Sequence, residues 1–328
     1  MKILVIRFSS IGDIVLTTPI VRCLKEQLEG EVEVHFLTKK QYQPIVNNNP
    51  YITKIHGIDK STDEVLLELK IEQFDYVIDL HKNLRSKRVI KGLKKLSFSF
   101  NKLNLKKWLF TTFKMNKLPA VHIVDRYFEA VKTLGITNDN KGLDYFIPAA
   151  DEVNITDLPA SHQKGYVAFA IGAQHYTKRL PKEKISLICK KANQPIILLG
   201  GKEDQAAGEE ICKMVGEKVF NACGKYNINQ SASLVQKCKI LVTHDTGLMH
   251  IGAALGVQII SVWGNTVPNF GMYPYFPGHP EKYTIIENKD LSCRPCSKIG
   301  YNQCPKKHFK CMNDIDEESI LETLPIVS

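Results

Sequence analysis

Short apolar runs alternate with amphipathic stretches along nearly the whole chain. Residues 2–7 (KILVIR) form an apolar run of the kind buried on both faces of a parallel sheet. A polar turn at 8–13 follows, then a helical pattern over 14–28 with Pro19 in its first turns. Further strands are expected at 31–37 (EVEVHFL), 52–58 and 76–80 (YVIDL), with a short helix or loop at 42–49 and helices over 63–71 and 121–134. Residues 143–148 close this half, and residues 148–164, rich in Pro, Ala, Ser and Asp, read as a linker. The alternation then restarts. Strands are expected at 166–171 (YVAFAI), 195–199 (PIILL), 218–221, 239–242 (KILV), 258–263 (QIISVW) and 283–286, and helices at 181–192, 206–215, 228–236, 248–255 and 316–324. Strand–helix alternation of this kind predicts an α/β protein with parallel sheets. The pattern divides the chain into a domain over 1–150, a second over 163–315 and a C-terminal helix over 316–328. Ligands of such folds bind at the carboxyl ends of the strands, so two halves facing each other predict an interdomain cleft as the site.

Composition narrows the class. At 328 residues, two domains are the natural division, and the 44% hydrophobic and 24% charged shares are those of a globular chain. No apolar run reaches the roughly 18 residues of a membrane span, and Arg7 directly after the first run argues for a strand rather than a signal peptide. Five of the nine cysteines are scattered singly through apolar segments, which fits a reducing cytoplasm. The net charge of +10 is local. Residues 80–124 hold 12 of the 44 Lys and Arg and no Asp or Glu, so the remainder, with 32 basic and 34 acidic residues, is close to neutral. Phe98, Phe100, Trp108, Phe110 and Phe113 are interleaved with these charges. The combination suits an anionic membrane surface or polyanionic substrate, with nucleic acid as a further fit and a solvated face over core aromatics as the plain alternative.

Residues 239–264 carry the clearest chemistry: strand, His244-Asp245-Thr246-Gly247 turn, helix, strand. A helix N-terminus offers unpaired N–H groups and partial positive charge; Gly247 permits close approach and Thr246 adds a hydroxyl, a combination suited to phosphate. The competing reading is an ordinary capped helix, since Asp and Thr are good N-caps. Near the C-terminus, Cys293, Cys296, Cys304 and Cys311 form C-x2-C-x7-C-x6-C, compatible with a structural zinc or with buried thiols packing a loop.

Three stretches taken together, KILVIRFSSIGDIVLTTP, YVIDLHKNLRS and DTGLMHIGAALG, resemble glycosyltransferase family 9, the lipopolysaccharide heptosyltransferases. KRLP at 178–181, Gly200-Gly201 and the cysteine tail extend the resemblance over nearly the whole chain. It implies a GT-B fold: two Rossmann-like domains with parallel sheets facing across a cleft, acceptor site in the first, nucleotide-sugar site in the second. It implies inverting transfer of a heptose from ADP-heptose to the Kdo-lipid A region of lipopolysaccharide, with no cofactor or catalytic metal. Asp13 then matches the general base, which an inverting transfer needs on the acceptor side. Asp245, Thr246, Gly247, Leu248 and His250 match the donor's diphosphate loop, Lys178 a phosphate contact with Arg179 as its rival, and Glu203 the ribose contact with Asp204 as its rival. Ser10, Gly12, Arg85, Ser86, Lys87 and Arg88 fall on the acceptor side. His81 stands where the family motif has glutamine. The basic segment would meet the phosphates and acidic sugars of the acceptor at the cytoplasmic face of the inner membrane, as a peripheral contact and without nucleic acid.

Other readings differ in what they require. The close alternatives are the same fold with another nucleotide sugar and a nucleotide-sugar epimerase, which has no need of the basic segment. A non-enzymatic polyanion- or membrane-binding module leaves the phosphate loops without a task. A dehydrogenase is disfavoured because the first turn reads SSIGD and not GxGxxG. A metal-dependent GT-A enzyme is disfavoured because the D-x-D, Asp314-Ile315-Asp316, lies where it caps the final helix.

Overall fold

The structure, a computed structural model, describes residues 1–325. The chain divides into two compact units, each built on a parallel sheet. The first comprises Met1–Lys102 and Val121–Phe146, the second Leu103–Ala120 and the chain from Ile147 onward.

The first unit contains β1 (Lys2–Ile6), α1 (Ile11–Val15), α2 (Thr18–Gln27), β2 (Glu33–Lys39), β3 (Lys54–Ile58), α3 (Asp63–Ile71), β4 (Tyr76–Asp79), α4 (Leu84–Leu93) and β5 (Leu96–Ser99). Its strands run in the order β3-β2-β1-β4-β5, all parallel. Ile3 to Ile6 are fully buried, as an apolar central strand requires. One face, with Leu4, Ile6, Leu37 and Val77, packs under Val65 and Leu69 of α3 and Val89 and Leu93 of α4. The single helix expected over 14–28 is two helices. Pro19 has no N–H for the Val15 carbonyl and its ring crowds that oxygen, so the chain breaks and restarts with Pro19 in the first turn of α2. Thr18 Oγ1 donates to the freed Val15 carbonyl at 2.8 Å.

The second unit adds α5 (Asn104–Phe113), β6 (Val167–Ala170), α7 (Lys182–Lys191), β7 (Ile196–Leu199), α8 (Gln205–Val215), β8 (Val219–Asn221), α9 (Ile228–Gln236), β9 (Ile240–His244), α10 (Gly247–Ala254), β10 (Ile259–Trp263), β11 (Tyr283–Glu287), α11 (Lys310–Asn313) and α12 (Glu317–Leu321); α6 (Ile123–Tyr127) belongs to the first unit. Its sheet runs β11-β10-β9-β6-β7-β8, again all parallel. The core gathers Val167, Phe169, Leu198, Ile240, Val242 and Ile260 beneath α7 and α8.

The expected boundaries shift in three places. Residues 103–120, expected within 1–150, pack with the second unit: Phe110 meets Phe270 edge-on at 5.8 Å, and Lys114 Nζ donates to the Pro295 carbonyl at 2.8 Å. The linker at 148–164 also belongs to that unit, because Asp151 accepts from Asn227 and Asn229 and Val153 N donates to Ser233 Oγ. The helix expected over 316–328 is confined to Glu317–Leu321 and is part of the second core through Ile320 and Leu324; residues 326–328 lie outside the described residues. Asp316 caps it, its side chain accepting from Glu318 N, as the sequence predicts. Among the described residues no helix is long and apolar enough to cross a membrane.

Candidate active site

Both sheets reverse strand order beside their first strand, β1 next to β4 and β6 next to β9. Loops leaving the carboxyl ends of such a pair diverge to opposite sides and open a crevice. The sequence-derived candidates fall at these two points.

In the second unit, the loop after β6 carries Lys178 and the loop after β9 carries Asp245. Lys178 Nζ stands 2.6 Å from Asp245 Oδ2 and 3.2 Å from the Asp245 carbonyl. Thr266, after β10, donates to the same carboxylate oxygen at 2.9 Å, so three strand ends meet on Asp245. Thr246 is the N-cap residue of α10, yet its side chain makes no capping bond; its Oγ1 lies 3.3 Å from Thr243 Oγ1. Thr246 therefore does not cap the helix through its side chain, and Gly247 and Leu248, the first residues of α10, are half-exposed. The Lys178–Asp245 pair carries no net charge, which leaves the helix dipole to set the local field.

Arg179 is no substitute for Lys178. Its guanidinium donates to Asp204 Oδ1 at 2.9 Å and to the Ala173 carbonyl at 2.6 Å. Asp204 is buried and also accepts from Gly201 N. A Cβ on Gly172 would fall 2.1 Å from its carboxylate, which explains that glycine. Of the rival carboxylates, Asp204 is thus consumed in tying the loops after β6 and β7, and exposed Glu203 is the one open to solvent. His250, in the first turn of α10, is buried.

His244 is a contributor that sequence reading passed over. It is fully buried at the end of β9, and its Nε2 accepts from Leu180 N at 3.0 Å, fixing the loop that carries Lys178. Burial, with Arg179 nearby, pushes its pKa down to about 3, so the ring stays a neutral acceptor. A histidine inside a strand pattern was the available signal.

In the first unit, Asp13 lies in the first turn of α1. One carboxylate oxygen meets Arg7 at 2.6 Å; the other accepts from Ser10 Oγ at 2.9 Å and Ser10 N at 3.2 Å. Asp13 does cap its own helix, but its side chain remains about one quarter exposed. Arg7, also overlooked, is buried and anchored to the Leu80 carbonyl and Tyr127 Oη; it orients Asp13. Gly12 is buried and Ser10 half-exposed beside it.

At the end of β4, Asp79 accepts from His81 N, Lys82 N and Ser86 Oγ. Ser86 is fully buried, its hydroxyl also held by Asn83, so it corrects the expected acceptor contact: it shapes the loop and offers no surface. Arg85, Lys87 and Arg88 are exposed on α4, with Arg88 loosely paired to Asp63 at 3.7 Å. His81 packs edge-on against Phe8 at 5.1 Å; burial, then Arg7 and Lys102, push its pKa down to about 3.

Two further expectations change. Phe100, counted among the aromatics of the basic segment, is core, packed on Tyr127 at 4.7 Å; Trp108 and Phe113 are the exposed ones. The tail cysteines lie near one another, but among the described residues no three of their side chains come close enough together to share a cation. Cys293 Sγ lies 3.9 Å from His308 Nε2, Cys296 Sγ turns to the Cys293 carbonyl, and Cys311 is core, its thiol pushed up to about 12 by burial. Among the described residues the one group of three ligand-type side chains close enough to share a cation lies elsewhere, at His35, His56 and Glu72.

The model of glycosyltransferase family 9 (heptosyltransferase) matches residues 64–308. A similar curated protein is lipopolysaccharide heptosyltransferase 1 of Campylobacter coli, 23% identical, the alignment covering 98% of this chain and 97% of the relative. The solved structure of a family 9 glycosyl transferase from Veillonella parvula superposes with a TM-score of 0.79 at 23% identity, covering 98% of this chain and 95% of that one. The structure of the E. coli ADP-heptose lps heptosyltransferase II gives 0.71 at 19% identity, covering 98% and 97%. These structural likenesses are likenesses of fold.

Proposed function

The chain belongs to glycosyltransferase family 9, and from that premise we propose that it moves a heptose from ADP-heptose to the inner core of lipopolysaccharide, with inversion at the anomeric carbon. The observation that carries the reading is the half-exposed N-terminus of α10 beside the Lys178–Asp245 pair, at the switch point of the second sheet. Backbone N–H groups of Gly247 and Leu248, the Thr246 hydroxyl and Lys178 would hold the diphosphate and stabilise the charge that grows on it as the sugar leaves. Glu203 is the carboxylate available to ribose hydroxyls. Asp13, held by Arg7, takes the proton of the acceptor hydroxyl as that oxygen attacks. Arg85, Lys87 and Arg88 supply exposed cations for an anionic acceptor. ADP-heptose and lipopolysaccharide are named for the similar E. coli enzyme, and lipopolysaccharide for the similar Campylobacter coli protein.

An acceptor of that kind sits in a bilayer, and α5 suits peripheral contact with it. Leu105, Trp108 and Phe113 are 69%, 52% and 56% exposed, with Lys106 and Lys117 beside them and no acidic residue anywhere in 80–124. Exposed apolar side chains ringed by lysines match an anionic lipid surface.

Calorimetry of ADP-heptose against UDP- and GDP-sugars tests the donor. Selective ADP-heptose binding is expected. Lys178→Ala should weaken it about ten- to hundredfold, the worth of a hydrogen bond to a charged group. Asp13→Asn should keep donor affinity and lose about 10²- to 10⁴-fold in turnover on a Kdo-lipid A acceptor. Preference for another nucleotide sugar would discard heptose; equal binding by Lys178→Ala would discard the diphosphate site.

A further inference from the structure

The amino ends of β1, β2 and β3, opposite to the strand ends that carry the candidate site, hold a polar cluster beneath α3. Strand register places Lys2 beside Glu33 and His35 beside Lys54, with His56 two residues further along β3 on the same face. Glu68 on α3 and Glu72 at its end complete the group. Both histidines are 1% exposed and pack edge-on against Phe74.

His35 Nδ1 and His56 Nε2 face each other at 3.0 Å. Their outer nitrogens each face a carboxylate: His35 Nε2 lies 3.3 Å from Glu33 and His56 Nδ1 2.8 Å from Glu68. An ionised carboxylate only accepts, so each outer nitrogen carries its hydrogen, and a neutral ring then has a lone pair on the other nitrogen. Two lone pairs therefore point at each other in a buried place, an arrangement that needs a cation. The surrounding charge asks for one as well. Glu33, Glu68 and Glu72 are matched by Lys2 and Lys54 alone, through contacts of 2.6 to 3.2 Å, which leaves one negative charge in excess. The His35, His56 and Glu72 ligand atoms all lie within 4.8 Å of one another. Two nitrogens bound at 2.0–2.1 Å to one tetrahedral ion stand about 3.3 Å apart, close to the separation here. Metal-bound histidines also turn their second nitrogen to a carboxylate, as both of these do.

We propose that His35 Nδ1, His56 Nε2 and a Glu72 oxygen form a site for a divalent transition-metal ion of the zinc type, with Glu33 and Glu68 orienting the rings. Glu72 keeps its lysine contacts, since a carboxylate has about four acceptor positions. The ion would clamp α3 onto β2 and β3, a structural role that goes beyond the transferase reading and does not depend on it.

Cobalt titration of the full chain after chelator treatment tests the site. One equivalent of Co²⁺ is expected, with visible bands of nitrogen and oxygen ligation and no near-ultraviolet thiolate charge-transfer band. Zinc should raise the melting temperature. His35→Ala and His56→Ala should abolish binding, Glu72→Gln should weaken it at least tenfold, and Cys293→Ser/Cys296→Ser should retain it. Should the alanine variants fail to fold, His35→Asn and His56→Gln, which keep ring-edge polarity, carry the same expectation. Absence of stoichiometric binding to the wild type would overturn the proposal and leave a shared proton between the rings. So would binding that survives the histidine substitutions, or a thiolate band that moves the ion to the tail cysteines.

Discussion

At the scale of single residues, the candidate site works through pairs. Asp13 is held by Arg7, and Lys178 has its ammonium held by Asp245, which Thr266 also bonds. His81 has a clear acid signature, shared with His244. Its pKa is about 3 in the folded chain against an ordinary 6.5, so the unfolded chain takes up a proton through a range in which the folded one does not. The sign follows: stability is unaffected by this group above about pH 6.5, and falls as pH is lowered from there towards 3. His81→Gln should make that limb shallower by the share His81 contributes. Chemical denaturation from pH 7 to 4 checks it; identical pH slopes in the two proteins would refute the assignment.

At the scale of elements, the site depends on how closely loops approach. Gly264 ends β10, and a Cβ there would lie 2.6 Å from the Thr177 carbonyl and 2.8 Å from the Met312 side chain. Methionine can yield, whereas the carbonyl belongs to the backbone beside Lys178. Gly264→Ala should therefore cost about 1–3 kcal/mol, the usual penalty of overpacking, and also weaken donor binding. Thermal melts and calorimetry on one preparation separate the two effects. Loss of stability with unchanged donor affinity would show that the Lys178 loop tolerates displacement. His244 acts at the same scale, joining β9 to the loop after β6 through Leu180 N.

At the scale of the whole molecule, the basic excess is shared between the two units, with α4 in one and α5 in the other. The lysines around α5 should contribute about 1 kcal/mol each to binding an anionic membrane. Lys106→Ser with Lys117→Ser should then weaken sedimentation with anionic vesicles roughly thirtyfold, and Trp108→Ser should weaken it further. Binding by wild type should fall as salt rises, because the attraction acts within a Debye length. Vesicle binding indifferent to these changes would remove α5 from the membrane contact. Donor calorimetry on the same variants should remain unchanged.

The sequence by itself determined the α/β class, the two parallel sheets and the loops that carry Asp13, Lys178 and Thr246. Strand type follows from unbroken apolar runs, and loop chemistry from residue types at their ends, both local properties. Tertiary structure alone decided the rest. Which side chains are consumed inside the fold depends on partners distant in sequence: Ser86 is taken by Asp79, Arg179 by Asp204, and Phe100 by Tyr127. Residues 103–120 left the unit of their sequence neighbours because Phe110 finds Phe270 and Lys114 finds carbonyls near 295. Two histidines 21 positions apart met across neighbouring strands. Spacing along a chain constrains only what one element can bring together; register between strands brings together everything else.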